Sequence, residues 1–423
     1  MQQTFNWERV QALVTHTIAL WHASASGPLP AAPLYTPPEQ QHREIAYDEA
    51  LTAVEHELSR SHNGASTPRE TQQRLVALFA QFSAAALDLD NENIALLTDQ
   101  FLPAGVQLAQ WARRFDANLP LPDIVQACRN AWTACGLQAL LGKPIRITPS
   151  ILGYSLLYPY SDNYLDCERL PIEVKLEFSK RFHLLLCGQK VHPRDQREAA
   201  LLALIELIEG EYPRARFPHV FDCLLAIHRA QEQSTMQQAI SGQHDSSAHL
   251  LSLSCAKGGA SVLTDACLAH CWLSRDEAEF AFEWGVLLQL GDDLQDVRED
   301  LQHGSATLFS TAAMSGKPLD QLAIQLLNFG DKVGAHMDRL THGSPLLKSL
   351  LKMSWRSLII RAVAESHQYF SKPFLHQAEQ FSPFRFEFLR ARQDRLTAAH
   401  GLYTVLFESF LEEEYESTEG RAG

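Results

Sequence analysis

One ten-residue segment of this chain crowds five carboxylates together: Gly291-Asp292-Asp293-Leu294-Gln295-Asp296-Val297-Arg298-Glu299-Asp300. In a helix, Asp292, Asp296 and Asp300 follow one another at i, i+4 and i+8 and share one face. Carboxylates at that spacing repel each other, and their hard oxygens suit Mg²⁺, which commonly shares its other positions with phosphate oxygens. The segment therefore predicts a magnesium site, and a phosphorylated small molecule as its ligand.

The residues that precede this segment predict a buried helix. Apolar side chains cover most of the helix circumference between residues 277 and 290, and that pattern is typical of a core helix rather than a surface helix. It favours the metal site over the alternative, a solvated acidic face. A glycine inside a helix costs about 1 kcal/mol relative to alanine, so we expect Gly285 and Gly291 each to admit a neighbouring helix or a ligand. Gly304 is expected to end the helix as a left-handed cap.

A second acidic group lies upstream. Asp162 and Asp166 are spaced i, i+4, and Asn163 follows the first of them. The pair Thr148-Pro149 predicts the start of their helix, and Pro171 disfavours helix beyond residue 170. Asp162 and Asp166 are therefore expected in the last turns of an apolar helix. Two aspartates at this spacing are common on exposed helices. Asp162 and Asp166 therefore support a metal site only in combination with the segment Asp292–Asp300.

Together the two segments carry a resemblance to a known family. A D-N-x-x-D segment at Asp162 followed 130 residues later by G-D-D-x-x-D-x-x-E-D resembles the class I isoprenoid synthases. Within that superfamily the chain most resembles the bacterial large terpene synthases and tetraprenyl-curcumene synthase-like enzymes, through residues 161–167 and 257–263. The resemblance covers about residues 145–400. It implies a class I terpenoid synthase-like helical bundle.

The resemblance also implies roles for individual residues. The catalytic set would be Asp162, Asp166, Asp292 and Asp296. Three Mg²⁺ ions, bound together with the diphosphate, would be held by Asp162, Asn163, Asp166, Asp292, Asp293, Asp296 and Asp300. Asn163 replaces the second aspartate of many members and is a poorer metal ligand, which argues against efficient chain elongation.

Basic groups are needed to hold the diphosphate. Three candidates are Lys257, Arg229 and Arg298. Lys257 is the strongest, because Lys257-Gly258-Gly259 at a helix break would offer a charge together with bare backbone N–H groups. For Arg229 and Arg298, a salt bridge on a helix surface is an equal alternative.

Three functions remain open. The first is a terpene synthase, a carbon–oxygen lyase that ionises a linear all-trans prenyl diphosphate and releases pyrophosphate with a hydrocarbon or alcohol. The second is a trans-prenyltransferase that condenses an allylic diphosphate with isopentenyl diphosphate. Its basic GGKRxRP-like motif is missing, since residues 142–146 lie too close to Asp162 to be its equivalent. The third is a catalytically inactive helical binding protein.

Composition and the residues typical of helix starts and ends predict an all-α protein with an N-terminal helical extension. Helix signals continue nearly throughout the 423 residues, without strand alternation. A short helix is expected around residues 7–21, followed by a proline-rich segment at residues 28–38. We therefore predict an N-terminal extension at residues 1–70 and an isoprenoid synthase domain at residues 71–423.

The charge balance disfavours two classes of binding partner. The net charge of −14 disfavours nucleic acid and anionic membrane surfaces. No apolar run reaches the roughly 20 residues of a membrane span, and the first residues do not resemble a signal peptide, so a soluble cytoplasmic protein is expected. The eight cysteines are scattered singly and read as reduced thiols. The sequence leaves a monomer and a homodimer both open.

Overall fold

The structure is a computed structural model that describes residues 7–25, 27–29, 34–63, 66–165, 167, 169–239 and 247–398. Its regular structure is helical, and no strand occurs in these ranges. The expected all-α class is confirmed at this level. No helix in the described ranges is long and apolar enough to cross a membrane.

The helices are numbered in chain order. They are α1 (Trp7–His22), α2 (Pro37–His62), α3 (Pro68–Leu87), α4 (Asn91–Leu96), a π-helical segment (Leu97–Phe101), α5 (Leu102–Phe115), α6 (Leu121–Leu140), α7 (Pro149–Leu165), α8 (Ile172–Leu186), α9 (Gln196–Glu211), α10 (Pro218–Ala239), α11 (Ser247–Ala269), α12 (Arg275–Gln295), α13 (Val297–His303), α14 (Leu308–Met314), α15 (Asp320–Arg339), α16 (Pro345–Glu365), a 3₁₀ turn (His367–Tyr369), α17 (Lys372–Glu379) and α18 (Phe386–Ala398).

The chain forms two compact units, and each is built from two segments. The first unit comprises Met1–Ala31 and Thr133–Ser371, and the second comprises Ala32–Trp132 and Lys372–Gly423. The boundary predicted at residue 70 lies in the first turn of α3, inside the second unit. The division at that residue stays a prediction, because compactness does not show which segment folds independently.

Local signals in the sequence account for several helix ends. The helix α7 begins at Pro149, as predicted from Thr148-Pro149. Ser274 and Glu277 form a capping box at the start of α12, with the Ser274 N–H donating to Glu277 Oε2 over 2.7 Å. Gly304 ends α13 with φ 71° and ψ 20°, which confirms the predicted left-handed cap.

The centre of the first unit is a close crossing of α11 and α12. A Cβ atom on Gly285 would lie 2.1 Å from the carbonyl oxygen of Gly258, and one on Gly259 would lie 2.3 Å from the ring of Phe282. Only glycine allows backbones to approach this closely. The prediction that Gly285 admits a neighbouring helix is therefore confirmed.

The helices α10, α11 and α12 run antiparallel in succession. Between α10 and α11, the Sγ atoms of Cys223 and Cys267 lie 3.5 Å apart. Between α11 and α12, Gly258 lies against Gly285, and further along Ser254 contacts Asp293. The C-terminal parts of α10 and α12 therefore both lie along the N-terminal half of α11.

The N-terminal helix α1 belongs to the first unit. Gln325 Nε2 on α15 donates to the carbonyl oxygen of Trp21 over 2.8 Å, and Lys332 Nζ donates to that of Ala23 over 2.6 Å. The rings of Trp21 and Phe329 make an edge contact at 5.8 Å. The predicted short N-terminal helix is thus present as α1, and it packs on α15.

The second unit is held by its own apolar clusters. One joins α2, α3 and α5 through Val54, Leu75, Phe79 and Leu102. The other brings Tyr47, Phe82, Phe384 and Phe388 together by edge contacts. Ion pairs to α2 come from Arg385, just before α18, and from Arg392 within it. None of the predicted site residues lies in this unit.

Candidate functional site

The acidic segment at Asp292–Asp300 is shared between two helices. The helix α12 ends at Gln295, Asp296 occupies the turn with φ −89° and ψ 6°, and α13 carries Asp300. The N–H of Asp296 still donates to the carbonyl oxygen of Asp292 over 2.9 Å, and that of Asp300 to Asp296 over 2.8 Å. Asp292, Asp296 and Asp300 are therefore each separated by about one helical turn, but the helix is interrupted at Asp296.

Asp293 joins α12 to α11. Its Oδ1 accepts a hydrogen bond from Gln289 Nε2 at 2.9 Å, and its Oδ2 accepts one from Ser254 Oγ at 2.7 Å. Burial raises the pKa of Asp293, while these two hydrogen bonds and the charge of Lys257 oppose the rise. In this arrangement both carboxylate oxygens already have protein partners.

Lys257 lies inside α11, and the helix does not break there. The prediction of a break at Lys257-Gly258-Gly259 is wrong, because α11 runs without interruption from Ser247 to Ala269. The two glycines instead admit the backbone of Gly285 and the ring of Phe282. Lys257 is half-buried, and its charge acts on Asp293 across the crossing. Its backbone N–H is not bare, since it belongs to a continuous helix.

The other carboxylates of the segment differ in exposure. Asp296 and Glu299 are exposed, Asp292 is half-buried, and Asp300 is partly buried with Thr307 Oγ1 donating to its Oδ2 over 3.3 Å. Burial, followed by the charges of Asp293 and Asp296, raises the pKa of Asp300 to about 7. The segment thus concentrates five carboxyl groups, and the charges of Asp293 and Asp296 act on Asp300.

The first acidic group lies at the end of α7. Asp162 is in the last turn, buried at 8% exposure, and its Oδ1 accepts a hydrogen bond from Ser161 Oγ at 3.0 Å. Asn163 is exposed. Asp166 lies outside the described residues, so its predicted role has no structural account here.

Contacts from α7 lead to α10. The ring centroids of Tyr164 and Phe178 are 4.7 Å apart, which sets the end of α7 against α8. The next residue of α8, Ser179, donates from Oγ to Glu232 Oε1 on α10 over 2.8 Å. The end of α7 that carries Asp162 is therefore on the same side of the unit as the C-terminal part of α10.

These contacts bring both acidic groups to one end of the first unit. The C-terminal parts of α10 and α12 share the N-terminal half of α11, which carries Lys257. Asp162, Lys257 and the segment Asp292–Asp300 consequently lie at the same end. That the carboxylates of Asp162 and Asp292 face each other across one cavity mouth stays a prediction.

Arg229 and Arg298 are both exposed. Arg229 lies on α10 beside His228, whose pKa is lowered to about 4 by burial. The charge of Arg229 also acts on Asp222, opposing the rise that burial causes in the pKa of that carboxyl group. Arg298 lies in the first turn of α13. Their exposure fits either diphosphate binding or a surface position.

Two residues that position the acidic segment escaped the sequence analysis. Gln289 precedes Asp293 by four residues, so the i, i+4 spacing on a helix face could have identified it. Ser254 has no local signal, because its contact with Asp293 depends on the register between α11 and α12.

The donor set fits Mg²⁺ in its chemistry, since carboxylate oxygens are the ligands that this ion prefers. Across the described ranges, no group of three or more His, Cys, Asp or Glu side chains is arranged to hold a metal ion. Mg²⁺ commonly keeps waters and binds through one or two protein carboxylates together with phosphate oxygens.

Models of known protein families give no match to this chain, and neither do curated protein sequences.

Proposed function

We propose that this protein is a class I terpene synthase, which ionises a linear all-trans prenyl diphosphate and releases pyrophosphate with a terpene hydrocarbon or alcohol. The observation that carries the proposal is the grouping of Asp162, Lys257 and the segment Asp292–Asp300 at one end of an all-helical unit. Asp162 and Asp292 are 130 residues apart in the sequence, so the fold rather than local sequence would bring them to the same end.

The carboxylates of both acidic groups would hold Mg²⁺ through their oxygens. Asp162 and Asp166 would bind Mg²⁺ on one side of the site, with Asn163 beside them. On the other side, Mg²⁺ would be bound by Asp292, Asp296 and Asp300. Asp293 would act as a support rather than as a ligand, because Ser254 and Gln289 already occupy both of its oxygens. Bound Mg²⁺ supplies positive charge that stabilises the departing diphosphate oxygens.

In the reaction, the bond between C1 of the prenyl chain and the diphosphate oxygen breaks, and the oxygen keeps the electron pair. Negative charge grows on the diphosphate, and an allylic cation remains. Lys257 would stabilise the leaving diphosphate from α11. Its partial burial would strengthen the electrostatic attraction between its ammonium group and the diphosphate. Loss of a proton from the final cation gives the hydrocarbon. Addition of water to the cation, followed by loss of a proton from the added oxygen, gives the alcohol.

Arg229 and Arg298 would add contacts to the diphosphate from α10 and α13. Both are exposed, so each would contribute less than Lys257, because solvent screens an exposed charge. Their removal should raise the concentration of diphosphate needed for half-maximal turnover more than it lowers the maximal rate.

The test is incubation of the purified protein with a series of all-trans prenyl diphosphates in Mg²⁺, with and without isopentenyl diphosphate. We expect pyrophosphate release with at least one chain length, matched by a terpene in the organic extract and independent of isopentenyl diphosphate. Consumption of isopentenyl diphosphate with chain elongation would identify a prenyltransferase instead. No pyrophosphate release with any substrate would leave only a binding protein.

A further inference from the structure

The first unit has a second distinctive group of side chains, at the end opposite the acidic segments. There the chain turns between α6 and α7, between α9 and α10, and between α11 and α12. Tyr212 Oη donates to the carbonyl oxygen of Leu268 over 2.7 Å, and His219 hydrogen-bonds the carbonyl oxygen of Cys271. These contacts bring the turn at residues 212–217 beside the turn at residues 270–274.

Aromatic rings lie at the centre of this group. Trp272 is 41% exposed, its ring centroid is 4.5 Å from that of His219, and it is 6.0 Å from that of Phe217. Tyr212 makes an edge contact with Phe217 at 5.4 Å. Trp272 therefore exposes aromatic surface to solvent beside the rings of His219 and Phe217.

Positive side chains surround the rings. Lys143, Arg146 and Arg216 are exposed, and none of them forms an ion pair with another described residue. Burial raises the pKa of the Cys271 thiol, and the charges of Lys143 and Arg216 both oppose that rise. The charge of Arg146 likewise opposes the rise that burial causes in the pKa of Tyr212. Arg216 Cζ lies 5.2 Å from the ring centroid of Phe217. The segment that carries Lys143 and Arg146 leads into Ser150, whose N–H donates to Glu211, the neighbour of Tyr212. The three cations are therefore near the aromatic group.

Two acidic side chains at the neighbouring helix ends bind backbone groups. Glu211 Oε2 accepts a hydrogen bond from the Ser150 N–H at 3.0 Å, and Glu277 caps the start of α12. Among the described residues, neither forms an ion pair with Lys143, Arg146 or Arg216. The three cations are exposed, although the whole chain has a net charge of −14.

We propose that this basic aromatic surface, formed by Lys143, Arg146, Arg216, Phe217 and Trp272, docks on an anionic lipid bilayer. An amphipathic tryptophan flanked by Lys and Arg is the composition found where proteins meet the headgroup region. Each such cation near an anionic leaflet strengthens binding roughly five-fold. The orientation also turns the acidic segments of the opposite end away from the anionic lipid, which reduces the repulsion expected from the net charge.

The experiment is co-sedimentation of the full chain with phosphatidylcholine vesicles that contain phosphatidylglycerol. We expect binding that weakens with added salt and is absent with pure phosphatidylcholine. Neutralising the surface should lower the partition coefficient by about 100-fold at low salt. That variant is Lys143→Gln, Arg146→Gln and Arg216→Gln.

A matched variant separates the position of the charges from their number. It removes three exposed cations that lie outside the basic aromatic surface: Lys180→Gln, Lys317→Gln and Lys372→Gln. This control should sediment with vesicles as the parent protein does. Trp272→Ala should weaken vesicle binding several-fold, while Met353→Ala, which truncates another exposed apolar side chain, should not.

Three results would overturn the proposal. One is the absence of vesicle binding by the parent protein. Another is equal loss of binding in the two triple variants, which would indicate a general charge effect. A third is binding to soluble polyglutamate at least as tight as to vesicles, which would identify an acidic protein as the partner. Circular dichroism of each variant checks that the substitutions leave the helices intact.

Discussion

Asp293 and Asp296 belong to the same acidic segment but have different surroundings. Asp293 is buried, and both of its oxygens accept hydrogen bonds from the side chains of Ser254 and Gln289. Asp296 lies in the exposed turn between α12 and α13. A carboxylate that binds an ion together with its substrate needs accessible oxygens, so Asp296 suits that role, and Asp293 suits the attachment of α12 to α11.

Asp296→Asn should therefore separate activity from stability. On the proposed function it removes an Mg²⁺ ligand that acts only with the diphosphate bound, so pyrophosphate release should fall by about 100-fold or more. The melting temperature should stay constant or rise, because repulsion within the segment decreases. Glu206→Gln removes the same negative charge from an exposed acid on α9. It should leave pyrophosphate release and the melting temperature unchanged. Activity that falls only in proportion to lost stability would make Asp296 a structural residue.

At the scale of the helices, the crossing of α11 and α12 positions the site. The backbones touch at Gly258 and Gly285, where neither helix has a side chain. This contact sets the register that lets Ser254 reach Asp293 and sets the charge of Lys257 near the same carboxylate. A change in the crossing should therefore disturb both the fold and the acidic segment.

The substitution Gly285→Ala tests this crossing. The new Cβ would lie 2.1 Å from the carbonyl oxygen of Gly258, and backbone cannot move aside as a flexible side chain can. We expect the free energy of unfolding to fall by about 1–3 kcal/mol, despite the better helix propensity of alanine. Gly210→Ala is the matched control, since a Cβ there meets nothing within 4 Å.

Chemical denaturation of the two variants gives the comparison. Gly210→Ala should raise the free energy of unfolding by about 0.5–1 kcal/mol, the usual gain when alanine replaces an exposed helical glycine. A stabilised Gly285→Ala variant would mean that α11 and α12 do not cross as closely as described.

On the scale of the whole molecule, the first unit joins the N-terminal helix α1 to helices that lie far along the sequence. His336 on α15 is buried between two carboxylates of α12: its Nδ1 is 2.7 Å from Glu283 Oε2, and its Nε2 is 3.1 Å from Asp276 Oδ1. His16 on α1 lies 3.4 Å from the other oxygen of Glu283. Ionisable side chains from three helices therefore meet at Glu283.

This cluster predicts a pH dependence of stability. Burial alone would lower the pKa of His336, but the hydrogen bonds and charges of Glu283 and Asp276 outweigh burial and raise it. The folded protein then holds the proton more tightly than the unfolded chain does. The contribution is complete below the ordinary histidine pKa of about 6.5, and it is lost as pH rises through the raised value.

The variant His336→Gln isolates this effect. The difference in free energy of unfolding between the parent protein and the variant should be largest below about pH 6 and should shrink at higher pH. His22→Gln, on the last turn of α1, serves as a control whose difference should not follow this profile. A His336 difference that grows with pH would show that this imidazole is held neutral in the fold.

Local chemistry in the sequence was sufficient for some features. Pro149 as the start of α7, Gly304 as a left-handed cap and Gly285 as a point of helix contact were all predicted, because each depends on neighbouring residues or on a missing side chain. The helix break expected at Lys257 was wrong, since Gly258 and Gly259 serve packing between helices rather than a turn.

Features that depend on distant residues could not be read from the sequence. The contact of Ser254 with Asp293 requires the register between two helices, and the inclusion of α1 in the first unit requires contacts with α15. The meeting of His16 with Glu283 is of the same kind. Periodicity and spacing carry no information on such pairings, because the residues lie far apart in the chain.

The most direct test of the central proposal is the metal dependence of pyrophosphate release from the prenyl diphosphate that the protein turns over best. Release should vanish in excess EDTA, return when Mg²⁺ exceeds the chelator, and stay low at every Mg²⁺ concentration in Asp292→Asn. Terpene should form in proportion to pyrophosphate throughout. Release that persists in excess EDTA, or an Asp292→Asn variant as active as the parent protein, would contradict the assignment of this acidic end as a magnesium-dependent terpene synthase site.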